Sequence, residues 1–167
     1  LGLLYSTITA YLGFSVNNSE YKVMGLSPYG DPGPYYHKLK KVIDVKEDGS
    51  FKLNMEYFDF HYKPWMPSKK MCLLLGGPIR KKEGLLAPRH KDIAAALQKI
   101  TEEVLLKILN YVYQETKTEN ICLAGGVALN SVANGKILKN TPFKNIYIQP
   151  AAGDAGNAIG AALFCYH

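Results

Sequence analysis

At 167 residues, with 47% hydrophobic and 20% charged side chains, the chain has the composition of a globular unit and the length to bury a core. No apolar run approaches the roughly eighteen residues of a membrane span, and no basic-then-apolar leader opens the chain. The net charge of +6 would suit an anionic ligand or nucleic acid, but its lysines gather at Lys38, Lys40, Lys41 and at Lys69, Lys70, Lys81, Lys82, where loops are expected, so a solvated surface is the plainer use.

Cys72, Cys122 and Cys165 are odd in number, scattered and free of any C-x-x-C spacing, which argues against a disulfide framework or a zinc knuckle. Reduced thiols in the cytoplasm are the expectation. A chain that opens on Leu1 rather than methionine is expected to be a piece of a longer protein.

Leu4, Ile8, Tyr11 and Leu12 recur at helical spacing, and Gly13 follows as a natural stop. The stretch Glu20 to Gly30 predicts a short helical turn broken at Gly25, then a rigid Pro28 and a glycine turn, the profile of a loop beside a ligand. Val42–Val45 and Phe51–Asn54 flank Asp48-Gly49, which predicts a β-hairpin. The aromatic tract Tyr57, Phe58, Phe60, His61, Tyr62 and Trp65 follows, and residues 31–88 are expected as an insertion laid over an α/β core. Aromatics beside lysines could stack on bases, yet no nucleic-acid-binding signature accompanies them, and packing is the expected role.

From Asp92 to about Glu115, Ile93, Ala96, Leu97, Ile100, Val104, Leu105 and Ile108 recur at three- and four-residue steps. This is the strongest helical pattern in the chain and reads as scaffold. Next come an apolar run (Ile121–Ala124), Gly125-Gly126, a helical segment to about Leu138, a second apolar run (Ile146–Ile148) and a second glycine turn, Gly153-Asp154-Ala155-Gly156, before an Ala/Gly-rich tail. Strand, glycine turn and helix thus occur twice. In an open α/β sheet both turns would face one crevice.

The first turn, Gly125 to Asn130, lets backbone approach a ligand closely and presents free N–H groups at a helix start, a natural phosphate cradle. Asn130 is placed in the first helical turn, within reach of a phosphate or sugar hydroxyl. A tight strand-to-helix turn with no ligand is an equal reading. For Asp154, spacing favours a helix N-cap. The competing reading is a hard-oxygen metal ligand exposed to the crevice between small neighbours.

These segments carry a family resemblance. Glu20-Tyr21-Lys22-Val23-Met24-Gly25-Leu26-Ser27-Pro28-Tyr29-Gly30, Asp92-Ile93-Ala94-Ala95-Ala96-Leu97-Gln98, Gly125-Gly126-Val127-Ala128-Leu129-Asn130 and Gln149-Pro150-Ala151-Ala152-Gly153-Asp154-Ala155-Gly156 resemble the O-carbamoyltransferases of the nodulation-protein-U, cephamycin and tobramycin type. The resemblance implies the second ribonuclease-H-like lobe of an actin-like ATPase (acetate and sugar kinase) fold, similar to the enzyme that completes threonylcarbamoyl-adenosine in tRNA. It implies that the parent protein makes carbamoyl-adenylate from carbamoyl phosphate and ATP and passes the carbamoyl group to an acceptor hydroxyl of a sugar or natural product.

By the same resemblance Asp154 matches a ligand of an active-site metal, usually iron. Gly125, Gly126 and Asn130 match a nucleotide-contacting loop, Gly153 belongs to the second turn of the same pocket, and Gly25 matches a glycine against which adenosine packs. Glu20 and Lys22 fall in that pocket motif. The family's H-x-x-x-H metal ligands have no counterpart among His37, His61, His90 and His167, and no general base is identified.

The implied partners are the first lobe, a C-terminal domain that forms carbamoyl-adenylate, and a second copy in a homodimer, with neither nucleic acid nor membrane. The chain alone is then expected to be inactive. Two other readings stay open: a kinase-like or tRNA-modifying relative that binds ATP and magnesium without carbamoyl chemistry, and a non-enzymatic module whose glycine turns are structural.

Overall fold

The computed structural model describes all 167 residues as a mixed α/β unit organised along one long helix. Helix α1 spans Gly2–Tyr11, α2 Glu20–Leu26, α3 Gly33–Leu39 and α4 Lys69–Leu74. Strands β1 (Ile43–Val45) and β2 (Phe51–Leu53) form the antiparallel hairpin predicted at Asp48-Gly49, in register from Ile43 opposite Leu53 to Val45 opposite Phe51. Helix α5 runs from Pro88 to Thr116. It starts earlier than its apolar periodicity, because Pro88 at the first helical position is preset for the turn and the His90 Nδ1 accepts from the Ala87 N–H at 2.9 Å.

Beyond α5 the chain forms one β-α-β unit. Strand β3 (Asn120–Leu123), helix α6 (Ser131–Asn140) and strand β4 (Asn145–Ile148) follow in order, and the strands pair in parallel from Asn120 opposite Asn145 to Leu123 opposite Ile148. Helix α7 (Gly156–Tyr166) ends the chain. Two two-stranded sheets, rather than one wide sheet, are therefore present.

The main core joins Leu4, Ile8 and Tyr11 of α1 to Ile93, Leu97 and Ile100 on one stripe of α5. Burial of such a stripe is what makes a long amphipathic helix stable. Residues 31–88 do more than cover this core: Leu39, Val42, Ile43, Phe58, Met71 and Leu75 are part of it. The C-terminal half of α5 packs a second cluster, with Leu109, Ile137 and Phe143 at its centre and Ile121, Leu123 and Ile146 of the parallel strands against it. Strand alternation leaves Cys122 and Tyr147 on the open face. Helix α7 has no buried residue, and Leu163 and Phe164 are 54% and 87% exposed.

One expectation is corrected. Gly25 does not break α2, which continues to Leu26 and passes directly into a 3-10 turn at Ser27–Tyr29; a single glycine costs a helix about 1 kcal/mol, and buried Val23 anchors this one. The chain between Asp31 and Pro88 also holds α3 and α4, which are too short to show periodicity. For α4 a signal existed, since the Ser68 side chain caps the helix by accepting from the Met71 N–H. Gly30 is the close approach that seats this segment: a Cβ there would lie 2.2 Å from the Lys91 carbonyl carbon.

The aromatic tract packs, and Asp59 is its knot. That carboxylate, 4% exposed, accepts from the Tyr62 hydroxyl at 2.6 Å, the Lys63 ammonium at 2.9 Å and the Trp65 indole at 3.0 Å. Those donors, Tyr62 first, hold its carboxyl at about 2. A carboxyl depressed in the folded state stabilises the protein above its ordinary pKa and ceases to as it protonates. The contribution is therefore complete above about pH 4 and lost toward pH 2. We expect Asp59→Asn to flatten the acid limb of the melting temperature in that window; a limb identical to wild type would show that Asp59 carries none of it.

Candidate functional site

The two glycine turns meet. Parallel pairing in register brings the ends of β3 and β4 to the same height, and the Gly125 N–H donates to the Ala152 carbonyl at 2.7 Å. Gly125 makes this bond at φ +105, a conformation that costs a residue with a Cβ about 1–3 kcal/mol. A Cβ on Gly153 would come within 4.0 Å of the Gly126 Cα.

A cleft of about 880 Å³ opens where the turns meet the N-terminal helices. Gly126, Val127 and Asn130 line one wall, Gly153 and Asp154 another, and Tyr5, Ser6, Glu20 and Met24 of α1 and α2 the third. No group of three His, Cys, Asp or Glu side chains is placed to hold a metal ion by itself.

The 3-10 turn Gly126–Leu129 follows Gly125 directly, so the expected helix after the first turn begins later, at Ser131. The Gly126 and Val127 N–H groups have no acceptor within the chain, nor do those of Asp154 and Ala155. Unpaired amides from two turns around one cleft are donors of the kind that anions accept from.

Asp154 is not the N-cap that spacing favoured. Ala155 holds the cap position of α7, the Gly156 N–H bonds back to the Gly153 carbonyl, and the Asp154 side chain is exposed in the cleft with no hydrogen bond. A free carboxylate in a cleft is a hard-oxygen donor of the kind divalent cations take.

Asn130 is corrected in the opposite sense. It is the N-cap of α6 rather than part of its first turn, and it is 8% exposed, with Oδ1 accepting from the Ala133 N–H at 3.0 Å. Glu20 lines the cleft, but its carboxylate is occupied by the Ser6 hydroxyl and the Asn17 N–H, both at 2.9 Å, and by the Ser19 N–H at 3.2 Å. It ties α2 to α1. Lys22 does not reach the cleft; its ammonium lies 5.9 Å from the centre of the Phe14 ring. Gly25 is exposed beside Met24 without lining the wall, and a Cβ there would meet nothing within 4 Å.

Reasoning from the sequence passed over Tyr5 and Gln98. The Tyr5 hydroxyl donates to Gln98 Oε1 at 3.1 Å beneath the cleft. A polar Gln98 on the apolar stripe of α5, between Leu97 and Ile100, was the available signal.

The chain is a mixed α/β unit in which a β-α-β element brings two glycine turns to one cleft. The chain belongs to the family described as Carbamoyltransferase N-terminus, which it matches over residues 1–163. It is 55% identical over its whole length to an uncharacterized Synechocystis protein, sll1178, covering 27% of that protein. It is 37% identical to the nodulation protein NolNO of Sinorhizobium fredii over 98% of the chain and 22% of NolNO. A more distant likeness, 26% identity over 78% of the chain and 43% of the relative, is to the tRNA N6-adenosine threonylcarbamoyltransferase of Thermosipho africanus. The chain thus spans about a quarter of the length of its two nearer relatives here. No helix is long and apolar enough to cross a membrane.

Proposed function

We propose that this chain is the second lobe of an actin-like ATPase domain in an ATP-dependent O-carbamoyltransferase of the cytoplasm. The observation that carries the reading is the meeting of both glycine turns in one cleft, with unpaired Gly126 and Val127 amides beside the free Asp154 carboxylate. Such amides suit the phosphates of ATP or carbamoyl-adenylate. The likeness to a tRNA threonylcarbamoyltransferase supports the actin-like assignment. Membership of the carbamoyltransferase family supports the chemistry.

In this reading Gly125, Gly126 and the turn behind them hold phosphate, and Gly153 keeps the second rim low enough for it to enter. Asp154 is one ligand of a divalent metal, iron by family resemblance, whose other ligands come from outside this chain. Such a cation supplies charge stabilisation at a reacting carbonyl when bound. The chain's own contribution is to bind and orient: the amides fix the phosphates, and α1 and α2 close the side of the cleft. Carbamoyl phosphate, ATP and a hydroxyl acceptor are the proposed substrates. A first lobe and a carbamoyl-adenylate-forming domain are the proposed neighbours, within a homodimer.

The test is thermal unfolding of the full-length protein with ATP. Stabilisation of about 2.7 kcal/mol is expected at one hundred times the dissociation constant. Carbamoyl transfer from carbamoyl phosphate that proceeds without nucleotide, with no ATP-dependent stabilisation, would overturn the proposal.

A further inference from the structure

Gln98 sits beneath the cleft at 4% exposure and spends its whole hydrogen-bonding capacity there. Its Oε1 accepts from the Tyr5 hydroxyl at 3.1 Å and from Asn130 Nδ2 at 3.0 Å. Its Nε2 donates to Glu102 Oε1 at 2.9 Å and to Asn130 Oδ1 at 3.2 Å. The other Glu102 oxygen accepts from Lys136 Nζ at 2.6 Å. One amide on α5 therefore joins α1, α6 and the cap of α6. All four of its donor and acceptor positions are filled.

The direction of each bond is forced. Burial, with Glu20 and Glu102 nearby, holds the Tyr5 phenol protonated far above its usual range, so it keeps a proton to donate to Gln98 and could also accept; the choice is made at Glu102. Glu102, paired with Lys136, can only accept. Gln98 must then turn its oxygen toward Tyr5 and its nitrogen toward Glu102. That choice fixes Asn130, whose Oδ1 takes both the Ala133 N–H and Gln98 Nε2. A reversed Asn130 amide would set N–H against both donors. What Asn130 has left is one Nδ2 proton.

We propose that Gln98 is the positioning residue of this cleft: its amide holds Asn130 with the oxygen turned inward and one N–H left for the ligand. The group met at Asn130 is then a hydrogen-bond acceptor, such as a phosphate or ribose oxygen. This rests on the function proposed above for the contact itself, whereas the orientation of Asn130 stands on the network alone.

Two variants of the full-length protein test it. Gln98→Met keeps length and removes every bond; Gln98→Glu keeps the acceptors and removes the donors. Each is expected to weaken ATP binding about tenfold by calorimetry. In an Asn130→Ala background the added loss from either should fall below about twofold, because Gln98 acts through Asn130. Losses that simply add would make Gln98 structural only and overturn the proposal.

A second readout needs no nucleotide. Hydrogen exchange over residues 128–134 should accelerate in Gln98→Met while residues 4–11 and 93–97 keep wild-type protection. Unchanged exchange over 128–134 overturns the proposal. If the wild type fails to bind ATP, the proposed function falls and this readout alone decides Gln98. If Gln98→Met does not fold, Gln98→Glu carries both.

Discussion

Asp154→Ala in the full-length protein is expected to lower carbamoyl transfer by a factor on the order of 10² or more, while the melting temperature stays within about 2 °C of wild type. The second half follows from surroundings: the side chain is exposed, makes no hydrogen bond and does not cap α7. A surface residue with no partner carries little stability, typically within about 0.5 kcal/mol. The first half follows from placement, because the only free carboxylate of the second turn faces the same cleft as the Gly126 and Val127 amides. Bound metal should fall together with turnover. A variant depleted of metal that still transfers carbamoyl groups at the wild-type rate would refute the role given to Asp154.

Gly126→Val is expected to raise the dissociation constant for ATP by at least about 10²-fold, equivalent to roughly 3 kcal/mol, without unfolding the protein. A Cβ at Gly126 meets nothing within 4 Å, so the fold has room for it. The added branches would occupy the space over the Val127 amide, where an anion would otherwise sit. Calorimetry gives the affinity and unfolding without nucleotide gives the stability. Unchanged affinity would remove phosphate from this wall. Gly125 is the wrong position for the experiment, since its φ of +105 would strain any replacement and confuse binding with folding.

Much of the architecture was readable because the responsible patterns are long or chemically sharp. Helix α5 showed itself through Ile93, Leu97, Ile100 and Val104, the hairpin through Asp48-Gly49, and the parallel pair through two apolar runs, each followed by glycine. What escaped was short or depended on contacts across the chain. Helices α3 and α4, of seven and six residues, offer too few turns for periodicity.

The site divides along the same line. That the two glycine turns share a cleft was legible from chain order and the geometry of parallel strands. That Asp154 is free rather than a cap was not, because a hydrogen bond from Gly156 to Gly153 moves the cap to Ala155. Lys22 and Glu20 share one motif, yet successive directions on a helix send Lys22 toward Phe14 and Glu20 into bonds with α1. Gln98 was hidden by its helix: a polar side chain within an apolar stripe gains meaning only once Tyr5 and Asn130, distant in sequence, are seen to meet it.

The in-register pairing of β3 and β4 bears on which length changes the family could accept. Strand β3 ends two residues before Gly125, so one residue inserted in it would shift its rim against the other by about 3.3 Å and turn Ile121 or Leu123 away from α5. Ligand contacts tolerate misplacement of only about 0.5 Å. Extra residues between Asn140 and the exposed Pro142, ahead of the buried Phe143, would by contrast leave both rims in place. Insertions among homologues should therefore collect at the end of α6 and be scarce between Asn120 and Gly126.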